Sequence, residues 1–309
     1  MVLLPVNDIA GLRQERFQYR EDHELQTLTV YSPEKDDSSE SLSNTPRLWI
    51  ILVLTNFSYI HGGAWRDPLV DSSSFNPTIQ NLHMSPKFSH LKPKIVSYAS
   101  INYRLSAHPS FPQDPASDNY RNAKHPDHIQ DVCSALSFLE SRYSIGDRYL
   151  LVGHSCGATL AMQVIMGQEY LLSLGVPSES LQFELPRHIL GVAGIYELQL
   201  LRDRNSHPAY NEFLTGAFGA EEKVWDAVSP AKFAGYAESL DNGTTLAFAT
   251  SMNDELVDES QIDVMVERIE ELGNRVVLKN YKNALKEGHD DVWNKGELAN
   301  VLAILLEIC

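Results

Sequence analysis

Apolar, β-branched runs recur along the chain with polar breaks between them. They read RLWIILVL, KIVSYASINY, RYLLVGH, HILGVAGIY, TTLAFATSM and RVVLKNY, after an earlier run, ELQTLTVY, at residues 24–31. Several are continuous rather than alternating, which predicts strands buried on both faces. Between them lie segments of helical period. Residues 127–143 put Ile129, Val132, Cys133, Leu136 and Leu139 on one stripe, and residues 260–272 do the same with Ile262, Met265, Val266 and Ile269. Strands alternating with helices predict an α/β fold with a mostly parallel central sheet and helices on both faces. No internal repeat or linker interrupts the pattern, so one domain is expected. Residues 32–46, SPEKDDSSESLSNTP, read as a surface loop, whether ordered or not. Residues 197–232 break the alternation and read as a candidate small cap over the edge of the sheet.

Composition narrows the function. The 309 residues are 43% hydrophobic, enough for a large core, and the formal net charge is −16. Such a chain repels nucleic acid and anionic membrane surfaces, so neither is expected as a partner. The negative charge is spread along the chain and reads as a solubility feature. Three widely spaced cysteines, Cys133, Cys156 and Cys309, form neither a disulfide framework nor a CxxC metal pair, which suits a reducing compartment. The start, MVLLPVNDIAGLRQERF, lacks a basic leader and does not read as a signal peptide. The most apolar stretch, residues 49–54, is too short to span a bilayer. A soluble, cytoplasmic protein is expected.

The candidate chemistry begins at residues 150–159, LLVGHSCGAT. A G-x-S-x-G match arises by chance roughly 0.1 times in a chain of this length. Its setting adds weight, because residues 149–152 read as a strand and residues 158–164 as a helix. A serine on a strand-to-helix turn is held on a strained elbow with its hydroxyl exposed, and Gly153 and Gly157 give room for the tight passage. Serine needs a base to take its proton, and the base needs an acid to orient it. In this fold the acid and then the histidine follow the serine in the chain. Asp254 lies just past the run TTLAFATSM, with Glu255 and Asp258 as rival acids. His289 is the only histidine after His207. Upstream, HGGAW at residues 61–65 follows an apolar run. Its glycines let backbone N–H groups approach an oxyanion, so Gly62, Gly63 or Ala64 would act with Cys156, the residue after the serine.

Together, IHGGAWRDP, NYRLS, GHSCGATLA, GIYELQLL, NDELV and GHDDVW resemble kynurenine formamidase (arylformamidase), most of all its fungal members. The resemblance runs from about residue 15 to the end. HGGxW is its more discriminating motif, since GxSxG is shared by many esterases. It implies an α/β-hydrolase that cleaves N-formyl-L-kynurenine to kynurenine and formate, in tryptophan breakdown and NAD synthesis. It implies no metal or organic cofactor, and a homodimer. Carried over by residue, the nucleophile is Ser155, the acid Asp254 and the base His289. The oxyanion donors fall within residues 62–64 and on Cys156. The family often has alanine at that last position, and the thiol here predicts sensitivity to oxidants and alkylating reagents. Trp65, Tyr196 and Phe218 are candidates to line an aromatic pocket, and each is equally consistent with core packing.

One departure from the family stands out. Its members run a shorter strand straight into HGGxW. Here Thr55-Asn56-Phe57-Ser58 interrupts the run, so residues 52–58 read as a bulge or as an erroneous insertion able to displace the oxyanion loop. Other readings of the same machinery are a broad carboxylesterase, a noncatalytic binding protein on a hydrolase scaffold, and a serine peptidase of this fold.

Overall fold

The computed structural model describes residues 9–34 and 55–308. The run RLWIILVL, most of the polar stretch after residue 34, and Cys309 lie outside the described residues. Eight strands form one sheet among the described residues: β1 (Leu12–Gln18), β2 (Thr27–Pro33), β3 (Thr55–Ile60), β4 (Ile95–Ile101), β5 (Tyr149–His154), β6 (His188–Val192), β7 (Thr245–Ser251) and β8 (Val277–Leu285). Their order is β1-β2-β4-β3-β5-β6-β7-β8. β2 runs antiparallel to both β1 and β4, and every other pair is parallel.

Ten α-helices accompany the described strands: α1 (Asn76–Met84), α2 (Asp127–Tyr143), α3 (Cys156–Val164), α4 (Gln168–Ser173), α5 (Leu198–Arg204), α6 (Ala209–Phe218), α7 (Glu222–Val228), α8 (Tyr236–Ser239), α9 (Ser260–Glu270) and α10 (Glu297–Ile308). The continuous apolar runs are explained by cover on both sides of the sheet. On β5, Tyr149 and Leu151 join one core with α2, α3 and α9, while Leu150 and Val152 join a second core with α1 and α10. On β7, Leu246 and Phe248 face the first core, and Ala247 and Ala249 the second.

Of the stretch 52–58 expected to bulge before HGGAW, residues 52–54 lie outside the described residues, and the pairing of β3 with β4 shifts register between Thr55 and Asn56. Residues 55–58 are the first four of β3, a central strand seated between β4 and β5. Phe57 stacks on Tyr98 at 5.2 Å and Tyr59 on Phe75 at 4.4 Å, while Ile60 turns to the other core. Asn56 accepts a 3.0 Å hydrogen bond from the Ser97 hydroxyl, which accounts for a polar residue inside a buried strand. The pairing of Ile60 with both Ile101 and Gly153 delivers residue 61 to the sheet edge level with the elbow. The HGGAW segment thus starts beside the Ser155 turn, where Gly62 meets the serine side chain.

Residues 197–232, the candidate cap, fold as α5, α6, α7 and a short 3-10 turn (Pro230–Lys232) between β6 and β7. No helix among the described residues is long and apolar enough to cross a membrane.

Candidate active site

Ser155 sits between β5 and α3 with φ +54° and ψ −121°, a conformation that strains a side-chain-bearing residue. Its N–H donates to Val192 O at 2.9 Å, and its own carbonyl accepts from Ile195 N at 3.3 Å, so β6 and the segment after it hold the turn. The flanking glycines are steric necessities. A Cβ on Gly153 would overlap the Gly157 carbonyl, and one on Gly157 would overlap the Ile60 carbonyl. The helix thus starts directly against two strands, and its N-terminal end faces the serine's edge of the sheet.

The loops after β7 and β8 meet at the same edge. His289 Nδ1 lies 2.9 Å from both carboxylate oxygens of Asp254, and both side chains are 3% exposed. With Nδ1 committed to the carboxylate, Nε2 is the ring nitrogen left to exchange a proton. The rival acids are engaged elsewhere. Glu255 accepts the backbone N–H of His289 at 3.1 Å, and Asp258 caps Ser260 N at 2.8 Å and faces Arg204 at 3.9 Å. The two loops are further laced by Met252 N to Leu285 O at 3.0 Å, Asn253 to Lys286 O at 2.6 Å, and Ser251 to Glu287 O.

Residues 61–65 turn across the front of Ser155. Gly63, Ala64 and Trp65 all have positive φ, of 91°, 47° and 58°. NYRLS braces this loop. The Tyr103 hydroxyl donates to His61 O and Gly62 O at 3.1 and 3.2 Å, and its ring stacks on His61 at 4.3 Å. Arg104 forks onto Asp131, anchoring the segment to α2. Burial holds the His61 imidazole down at about 4, so it is neutral.

Ser155 and His289 line one cavity of about 630 Å³, with Gly63 and Ala64 at its wall. Tyr210 and Phe213 of α6, Leu201 of α5 and Leu256 beside the acid supply much of the rest. The Tyr210 hydroxyl donates to Leu256 O at 2.7 Å, tying the helical wall to the acid loop. Arg66, Arg204, Glu255 and Asp290 add both signs of charge. Arg66 pairs with Glu212 at 2.6 Å and lies over the Phe213 ring. Burial raises the Asp290 carboxyl above its ordinary range.

A scan against protein-family models finds no match. Curated relatives are closer to hand. A kynurenine formamidase-like hydrolase from Fusarium equiseti is 34% identical over 279 residues, covering 88% of this chain and 85% of its own. A kynurenine formamidase from Aspergillus versicolor is 36% identical over 272 residues, covering 82% and 86%. The chain belongs to the kynurenine formamidase family. More distant solved structures share the fold. Esterase B from Lactobacillus rhamnosus matches with a TM-score of 0.65 at 17% identity over 98% of this chain and 87% of its own. A truncated carbohydrate esterase from gut microbiota matches with 0.66 at 13% identity over 98% of each chain. This chain accordingly has the α/β-hydrolase fold, as the motifs predicted.

In this family member, two sequence expectations need correction. Trp65, Tyr196 and Phe218 do not line the cavity. Trp65 is fully buried, with Phe218 edge-on at 4.9 Å, and Tyr196 packs edge-on against Phe248 at 5.3 Å. The Phe and Tyr side chains at the cavity are Tyr210 and Phe213, about two turns and one turn earlier on the helix that ends at Phe218. Their only signal in the sequence is helical spacing, which does not say which face meets the cavity. The second correction concerns Cys156. Its side chain is fully buried, accepts Trp65 N–H at 3.3 Å, and approaches the Tyr103 hydroxyl at 3.5 Å. Burial pushes the thiol up to about 11, so it is neither a thiolate nor accessible. It pins the 61–65 loop at Trp65. No cluster of three or more His, Cys, Asp or Glu side chains among the described residues is arranged to hold a metal ion.

Proposed function

We propose that this chain hydrolyses N-formyl-L-kynurenine to L-kynurenine and formate by serine-dependent acyl transfer, in tryptophan degradation and NAD biosynthesis. The observation that carries the reading is the meeting, in one cavity, of a serine on a strained elbow and a histidine oriented by a buried carboxylate. The names of the relatives supply the substrate. Family resemblance extends the reading to a cytoplasmic homodimer.

In this mechanism His289 Nε2 takes the Ser155 proton as Oγ attacks the formyl carbon. Asp254 keeps the proton on Nδ1 and stabilises the imidazolium. Negative charge that develops on the formyl oxygen meets backbone N–H groups from residues 62–64 and from Cys156, at the positive end of α3. Each such donor is worth about 3 kcal/mol in the transition state. His289 then protonates the aromatic amine as the C–N bond breaks. Water, deprotonated by the same imidazole, releases formate from the formyl-serine. An arylamine leaves more readily than an alkylamine, and the formyl carbon is unhindered, so esterase-type machinery suffices for this amide. The cavity suits the leaving group. Tyr210 and Phe213 offer apolar surface for its ring, and Arg66, Arg204 and Asp290 offer both charges to its amino-acid end.

The test is the relative kcat/KM on N-formyl-L-kynurenine and on phenyl acetate. A clear preference for the formamide supports the reading. Cleavage of phenyl acetate alone would make the protein a general carboxylesterase, and silence on both would make it a noncatalytic binder.

A further inference from the structure

His154 is the variable residue of the G-x-S-x-G motif, directly before Ser155, and nothing in the acyl-transfer steps uses it. It is 1% exposed and stands where three parts of the site meet. Its Nε2 lies 3.0 Å from the carbonyl oxygen of His289. Its ring centroid is 4.7 Å from the His289 ring and 4.4 Å from the Trp293 ring, which it meets edge-on. Its Nδ1 would be only 2.6 Å from a Cβ on Gly62, so it also packs against the oxyanion loop.

The chemistry of this imidazole is settled by its surroundings. A carbonyl oxygen accepts, so Nε2 carries the hydrogen. Nδ1 is buried and has no partner, as fits a bare lone pair facing Gly62. Burial and the neighbouring His289 hold the group well below its ordinary pKa, so it stays neutral. On the opposite side of His289, the Glu255 carboxylate accepts the backbone N–H at 3.1 Å. The backbone donor and the backbone acceptor of His289 are thus both taken by side chains, from the acid loop and from the nucleophile's own strand.

We infer that His154 and Glu255 are positioning residues that clamp the His289 backbone and so set the distance between base and nucleophile. The inference rests on the hydrolase reading above. Because His154 adjoins Ser155 covalently and His289 by hydrogen bond, the two reacting groups move as one unit. A side chain on the rigid strand β5 does this better than a loop contact, since a misplacement of about 1 Å can cost about 100-fold in rate.

The experiment compares His154→Phe, which keeps the ring volume and loses the donor, with His154→Gln, whose amide N–H reaches the same place. Glu255→Ala and Glu255→Gln form a second pair at an exposed side chain, where folding is not at risk. The clamp predicts that His154→Phe lowers kcat about 100-fold and Glu255→Ala about 10-fold, with KM little changed. The two Gln variants recover most of the loss. A second readout is the downfield Nδ1–H proton resonance of His289. It should persist in the wild type and both Gln variants, and be lost in His154→Phe. Equal activity in the Phe and Gln variants would overturn the role of His154. A rise in KM with kcat kept in Glu255→Ala would make Glu255 a substrate contact instead. If the His154 variants fail to fold, the Glu255 pair decides. Wild-type protein inert towards both N-formyl-L-kynurenine and phenyl acetate would sink the hydrolase reading, while the proton resonance would still report on the clamp.

Discussion

The cavity has two walls of different construction. One, at the sheet edge, consists of the elbow, the HGGAW loop and the loops after β7 and β8. There the backbones approach so closely that no Cβ fits at Gly153 or Gly157, and the elbow and loops are held by hydrogen bonds to one another, to β6 and to Tyr103. The other wall is α5 and α6, short helices whose side chains meet the cavity through ordinary packing. Chemistry needs atoms placed to within a fraction of an ångström, and recognition tolerates more. The first, rigid wall is built from short glycine-containing motifs with no room for other side chains at Gly153 and Gly157, and the second, helical wall from the side chains of α5 and α6.

Substitutions should separate the two walls. The largest effect is expected at Gly157. Gly157→Val forces a side chain into the Ile60 and His61 carbonyls and should cost about 4 kcal/mol or more, read as loss of soluble protein or of the unfolding transition. A Gly157→Val protein of normal stability would remove the steric basis for the rigid wall. Next comes Asp254→Asn, which keeps the shape but frees the imidazole tautomer. It should lower kcat by about 10⁴ while leaving stability near wild type, by analogy with the same change in other triads.

Trp65→Ala and Phe213→Ala form a matched contrast. The buried Trp65 should cost about 3–5 kcal/mol in denaturant unfolding. Phe213 on the helical wall should raise KM about 10-fold, with kcat closer to wild type. The reverse pattern would return Trp65 to the substrate pocket.

Acid tests the rigid wall from inside. His61 is buried and neutral with its pKa lowered to about 4, against 6.5 for the ordinary group. Its unfolded form therefore binds a proton first. Stability contributed by keeping it neutral is complete above pH 6.5 and is lost as pH falls from there towards about 4, at about 1.4 kcal/mol per pH unit. Urea midpoints measured across that range should fall, and the fall should shrink in His61→Asn. The smallest effect is expected at Cys156. Cys156→Ala should retain most activity, and iodoacetamide should leave the native wild type active. Rapid inactivation by the reagent would restore the reactive-thiol expectation.

What the sequence disclosed follows the same division. The parallel sheet was legible because strands covered on both faces need not alternate, and β5, β6 and β7 are mostly apolar and buried along their whole length. The elbow was legible because only glycine fits on either side of Ser155. β3 was not, because Thr55, Asn56 and Ser58 look like a loop until Asn56 is seen to pair with Ser97 and Phe57 with Tyr98. Which carboxylate meets His289 was only partly legible: Asp254 lies just past the strand, but Glu255 and Asp258 are close by, and the three differ in where the loop aims them. Pocket aromatics failed for a related reason. Trp65 and Phe218 have the composition of a pocket wall but pack against each other, and the helix phase that brings Tyr210 and Phe213 to the cavity is set by tertiary packing.

The most direct test of the account is hydrolysis of N-formyl-L-kynurenine by the purified protein, with Ser155→Ala alongside. The account predicts efficient release of kynurenine by the wild type and its near-complete loss in the variant, with both proteins equally folded. Turnover that survives in Ser155→Ala, or a wild type that leaves the formamide untouched, would contradict it.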